Sequence, residues 1–212
     1  MMMPQGTKIA GMKTVADWQK LKATLIVGGD AAPWKNAFED FFHERLRTRY
    51  FDPIEKLSQM TCKNGEGFSI VTIHCSLIEF LSSTFEGKNY RYRSKDDPLL
   101  GEFEYSKSKD MFVRFLSQYP PFRDMFQNKA AAQDFYVNVR CKLLHEAQTK
   151  GGWRIRVDPS AVQAIDTQAK IVYRNKMQEA FDLFTQWYGE KLPENDELQR
   201  AFIRKFDSLC ED

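Results

Sequence analysis

The sequence predicts a mainly α-helical fold, an antiparallel helical bundle that also carries a small β-ribbon. Apolar residues recur at helical spacing through most of the chain. Large rings are abundant, with 17 Phe, 8 Tyr and 4 Trp among 212 residues, which suits a packed helical core. Strand-like alternation is confined to short stretches beyond Gly152. With 42% hydrophobic residues, a chain of this length can bury one substantial core. A net charge of +2 neither requires nor excludes a nucleic-acid partner. Cys62, Cys75, Cys141 and Cys210 are scattered without a C-x2-C pair. That pattern argues against a zinc or disulfide framework and for reduced thiols in a cytoplasm.

Residues 1–11 carry no pattern and are expected to be loose. No long apolar run follows Met1-Met2-Met3-Pro4, so neither a secretory signal nor a membrane span is expected. Val15, Trp18, Leu21, Leu25 and Ile26 keep helical spacing until Gly28-Gly29 stops them. Asp30 and Pro33 open a second helix with the stripe Trp34, Phe38, Phe41, Phe42 and Leu46. His43, Glu44, Arg45, Arg47 and Arg49 lie opposite, suited either to phosphate or to a solvated face of Glu–Arg pairs. Asp52-Pro53 reads as a restart with a first-turn proline, ending near Lys63-Asn64-Gly65. Residues 1–64 are thus an N-terminal helical extension packed on the same core as residues 65–212.

Phe68 to Phe85 is the most apolar stretch, a buried helix too short and polar for a membrane span. In it His74 sits among Ile70, Ile73, Leu77 and Ile78 as a satisfied core histidine, and Ser76, Glu79, Ser82 and Ser83 form a polar seam. The loop from Gly87 to Pro98 alternates Tyr90, Arg91, Tyr92 and Arg93. Such rings and cations either stack on bases and hold phosphates or pack down as a surface loop. A helix follows near 107–118, then a turn at Pro120-Pro121-Phe122, and Asn128 precedes the next helix.

Residues 129–149 read as one amphipathic helix. At about 100° per residue, Tyr136, Leu143, Leu144 and Ala147 lie within about 60° of Arg140. A guanidinium in the middle of an apolar arc is costly unless paired, and Glu79 is the predicted partner. His145 stands about 140° round and Cys141 about 100°, in a polar stripe with Asn138, Lys142, Gln148 and Thr149. Lys150-Gly151-Gly152 offers residues that tolerate a left-handed cap. Trp153–Val157 and Ala169–Tyr173 are expected to pair as a two-stranded ribbon. Asn175 and Gln178 read as a capping box for a helix to about Leu192. Pro193-Glu194-Asn195-Asp196 caps a last helix bearing Leu198, Phe202, Phe206 and Leu209.

The phrase RCKLLHEAQTKGGW, from Arg140 to Trp153, resembles the R-x4-H motif of the HEPN superfamily (higher eukaryotes and prokaryotes nucleotide-binding). Many members are metal-independent ribonucleases of toxin–antitoxin, abortive-infection and other defence systems. The motif resemblance covers residues 139–153 and the architectural one about 65–190. It implies a HEPN-like bundle with His145 as general acid/base and Arg140 as a phosphate-stabilising or histidine-positioning cation. Glu79, Asn138, Cys141, Lys142 and Gln148 would support them, and Tyr90, Arg91, Tyr92, Arg93 and Lys150 would contact RNA. It further implies no cofactor or metal, a cytoplasmic homodimer with a composite site, and an antitoxin or other defence protein as partner. Cys141 stands where members often carry Asn, Asp or His. Ala147 stands where one toxin subgroup carries a modified tyrosine.

The chemistry suits these residue types. RNA supplies its own nucleophile, the 2′-hydroxyl beside each phosphate. Cleavage needs a proton removed there, a proton given to the leaving 5′-oxygen, and charge neutralised on the phosphorane; imidazole and guanidinium do these tasks at neutral pH. Two other readings remain open. One is a non-catalytic HEPN-like module for RNA, nucleotide or dimerisation; the other is an unrelated helical protein with a structural Arg140 and His145.

Overall fold

The computed structural model describes residues 1–60 and 65–211, so Cys62 and the helix end read at residues 63–64 lie outside the described residues. The fold is mainly helical. Its two compact units interleave along the chain. One comprises Met1–Arg49, Leu81–Lys107 and Gln186–Asp212, and the other Tyr50–Phe80 and Ser108–Thr185.

The first unit is built on rings. Trp18, Phe41, Phe202 and Phe206 are all buried, with Trp18 5.3 Å from Phe41 and Phe202 4.5 Å from Phe206 between centroids. The Trp18 indole N–H donates to Asp207 Oδ1 at 3.0 Å, so the ring is buried with its one donor satisfied. The N-terminal residues are not loose. Lys8–Ala10 pairs antiparallel with Lys13–Thr14, Ile9 and Ala10 are buried, and Arg45 donates to the Ile9 carbonyl. The first helix is Val15–Lys22, opened by a capping box between Thr14 and Asp17.

Asp52-Pro53 does not restart a helix. Residues 31–58 are one unbroken helical stretch, in which Phe38–His43 and Arg47–Phe51 are π-helical turns. Proline lacks an N–H, and the wider π turn just before it relaxes the ladder that a mid-helix proline would break. The last helix, Asp196–Ser208, starts as expected, with Asn195 Oδ1 accepting from the Leu198 N–H at 3.0 Å.

The second unit takes residues 66–80 of the long helix Glu66–Glu86, whose Ile70, Val71, Leu77 and Ile78 are buried. By length and composition that helix could cross a membrane, contrary to the reading of the sequence, and 56% of that span is buried inside the protein. Phe115, Phe122, Phe181 and Phe184 interlock at centroid distances of 4.9–5.4 Å. The ribbon has three strands, not two. Arg154–Arg156 does meet Ile171–Tyr173, but in parallel, and Ile165–Asp166 covers the other side of that central strand antiparallel. The predicted capping box at Asn175 does not form. The helix begins at Arg174, and the Asn175 amide bonds the Asp158 backbone in both directions.

His74 is buried completely but is not satisfied: neither ring nitrogen has a hydrogen-bond partner. Burial, outweighing the nearby Gln178, pushes its pKa down to about 4. An unfolded histidine titrates near 6.5, so below that pH the unfolded chain binds the extra proton first. Stability therefore falls as pH drops from about 6.5 towards 4, with roughly 2 kcal/mol lost by pH 5. Urea unfolding midpoints at pH 7 and pH 5 measure the loss, and His74→Leu should flatten the difference.

Candidate functional site

The motif helix occupies residues 129–146 and belongs wholly to the second unit. Asn128 caps it, accepting from the Ala131 N–H at 3.0 Å. Its buried face is Ala132, Phe135, Val139 and Leu143, so the core arc centres on Val139 and leaves Arg140 at its edge. Leu144 is half exposed, and Ala147, exposed, lies past the helix end. The expected arc of Tyr136, Arg140, Leu144 and Ala147 is therefore displaced. Tyr136–Cys141 is a π-helical turn, which fits four-residue steps between buried positions and shifts the face from the 100° prediction. Such turns are frequent at functional sites, yet two others among the described residues carry none of the motif, so this one is a geometric cause and not itself a signature.

Arg140 is paired as anticipated. Its Nη2 donates to Glu79 Oε2 at 3.1 Å, with the two side chains 19% and 24% exposed. The same nitrogen reaches Ser108 Oγ at 3.5 Å, and Ser108 Oγ lies 3.2 Å from the Tyr136 hydroxyl. The guanidinium carbon sits 5.4 Å from the Tyr136 ring centroid, within cation–π range. Burial opposes the charge, but Tyr136 and Glu79 outweigh it and raise the arginine pKa. Burial also raises the Tyr136 pKa, so a neutral phenol and a fixed cation share the site. Cys141 is half-buried beside Tyr136, while Cys75, fully buried nearby, is pushed up to about 12 and stays a thiol.

His145 lies in the last helical turn, exposed, and no side-chain hydrogen bond or ion pair engages it among the described residues. It does not join the cluster around Arg140. The next residue in the chain is engaged ionically. Glu146 accepts from Lys142 Nζ at 2.6 Å, from Gln148 Nε2 at 3.2 Å, and from Lys150. These donors, Lys142 first, hold its carboxyl down at about 2.

The helix ends at Ala147, whose φ of 51° makes it the left-handed cap, and not at Gly151-Gly152. Both glycines do have positive φ, but they serve the next turn. A Cβ on Gly151 would come within 2.8 Å of the Asn138 amide, where only glycine fits. Asn138 is accordingly structural: its Nδ2 donates to Asp134 Oδ1 at 2.7 Å and its backbone carbonyl accepts from the Lys150 N–H. Asp134 Oδ2 also accepts the Trp153 indole N–H at 2.8 Å, and Lys170 Nζ donates to the Gly151 carbonyl. This knot ties the segment after the motif back onto the motif helix. Sequence reasoning missed Ser108, Asp134 and Glu146. The i, i+4 spacings Asp134–Asn138 and Lys142–Glu146–Lys150 were available as signals, while Ser108 had none.

The loop at Tyr90–Arg93 belongs to the first unit. Arg91 donates to Glu104 and to the Leu99 carbonyl, and Arg93 to the Pro98 carbonyl, so both guanidinium groups hold the loop together. Tyr90 and Tyr92 are exposed, and Tyr90 packs edge-on against Tyr105.

Comparison of the chain with protein-family models, with curated proteins and with solved structures finds no match. Among the described residues, no three His, Cys, Asp or Glu side chains converge on a point a metal ion could occupy.

Glu79→Ala leaves a half-buried guanidinium without its carboxylate and is expected to cost about 1–3 kcal/mol in urea unfolding. Glu79→Leu combined with Arg140→Met should recover most of that loss, because the desolvation cost disappears with the charge.

Proposed function

We propose that this chain is a HEPN-like, metal-independent endoribonuclease of bacterial defence or toxin–antitoxin type. The observation that carries the reading is the division of labour along one helix. A guanidinium fixed by Glu79, Ser108 and Tyr136 lies five residues before an exposed imidazole that no side-chain hydrogen bond or ion pair engages among the described residues. In this reading His145 takes the proton from a 2′-hydroxyl or gives one to the leaving 5′-oxygen. The 2′-oxygen bonds to phosphorus as the bond to the 5′-oxygen breaks, leaving a cyclic phosphate. Arg140 supplies positive charge to the phosphorane or orients the substrate beside the histidine. One chain supplies one such histidine, so the reading includes a cytoplasmic homodimer whose two motifs share a cleft, controlled by an antitoxin or other defence protein.

A second reading, a non-catalytic module that binds RNA or nucleotide, is favoured by the Glu79 carboxylate, which already neutralises Arg140. Single-stranded RNA incubated with the parent protein in the presence of a chelator separates the two. Cleavage that His145→Ala lowers by 100-fold or more, with an unchanged melting temperature, supports the enzyme. RNA that is bound but left intact by the parent supports the module.

A further inference from the structure

Three hydrogen-bond donors converge on one carboxylate next to His145. Lys142 Nζ, Gln148 Nε2 and Lys150 Nζ all reach Glu146, two of them from beyond the helix end. An ordinary exposed i, i+4 pair needs only one cation and contributes little. This arrangement also uses a non-glycine residue in the left-handed region, Ala147, to turn the chain so that Gln148 and Lys150 face back. That conformation is strained for alanine, and it persists only where its surroundings hold it. The lysines and Gln148 retain solvent access.

We propose that Lys142, Gln148 and Lys150 form a backbone-phosphate subsite for single-stranded RNA beside His145, occupied in the free protein by the Glu146 carboxylate. A phosphodiester presents two non-bridging oxygens much as a carboxylate presents two oxygens, so the same three donors serve either anion. Being surface ion pairs, the Glu146 contacts yield to a polyanion whose binding also releases counterions. Glu146 stays ionised at any physiological pH, so exchange is driven by RNA concentration and salt and not by protonation. The proposal rests on the RNA reading above and adds to it a site of phosphate contact and an internal competitor.

The test uses the full chain and a short single-stranded RNA methylated at every 2′-oxygen, which binds but cannot be cleaved. Fluorescence anisotropy across a salt series should show Glu146→Gln binding about fivefold more tightly than the parent. Lys142→Met combined with Lys150→Met should weaken binding and reduce the slope of log affinity against log salt by about 1.4, or 0.7 for each lost phosphate contact. Glu179→Gln, the same charge change at a residue paired with Lys176, is the control. An affinity for Glu146→Gln no higher than that of Glu179→Gln, or an unchanged slope in the double lysine variant, overturns the subsite. Cleavage of unmodified RNA by the parent is read separately. Cleavage without a Glu146 effect sinks the subsite and leaves the nuclease standing, whereas the effect without cleavage keeps the subsite and removes the nuclease.

Discussion

The ion pair between Glu79 and Arg140 is the constraint on which the second unit's polar cluster depends. It joins the long apolar helix to the motif helix through charges that are neither buried nor free, at 3.1 Å and with about a fifth of each side chain exposed. A guanidinium sealed completely in the core would be useless to a substrate, and one in open water would be undirected. Here Tyr136 lies under it and Ser108 beside it, so its direction is set by three groups on three segments of the chain. The π turn over Tyr136–Cys141 is part of the same solution. It lets Val139 and Leu143 keep the core while Arg140 moves to the rim.

Much of this was readable beforehand, and the reasons differ by residue. Helical periodicity found most of the helices, because an apolar stripe at spacings of three and four has few other uses in a ring-rich chain. The Glu79–Arg140 pair was legible for a stronger reason: the lone charge of an apolar helix and a guanidinium beside an apolar arc have few other ways to be neutralised. The cap at Asn195 followed from its side chain, and the unbroken passage of the helix through Asp52-Pro53 did not, since nothing local signals a π turn. The loop residues Arg91 and Arg93 illustrate the same limit. Alternating rings and cations look alike whether the cations face a ligand or close on carbonyls a few residues away.

Asn138 and Gly151 show how a motif can mislead in detail while remaining informative. Asn138 shares the polar stripe with Lys142, and only its i, i+4 spacing from Asp134 hints at a structural amide over a ligand-facing one. In the fold it holds Asp134 and the backbone of Lys150, and its amide fills the space that a side chain on Gly151 would need. The Gly-Gly-Trp that follows the histidine is thus explained by packing: glycines for a tight return, and a tryptophan whose N–H finds Asp134. His74 is the converse, a polar residue that the apolar pattern placed correctly in the core but whose unsatisfied nitrogens no pattern could reveal.

The parallel register of Arg154–Arg156 beside Ile171–Tyr173 bears on the order of assembly during synthesis. A hairpin would complete itself as soon as its second arm left the ribosome, but side-by-side strands running the same way need the intervening crossover first. Lys170, which grips the Gly151 carbonyl, is likewise translated late. A growing chain that stops short of residue 173 therefore carries the arginine and the histidine on a helix whose exit is not yet tied down.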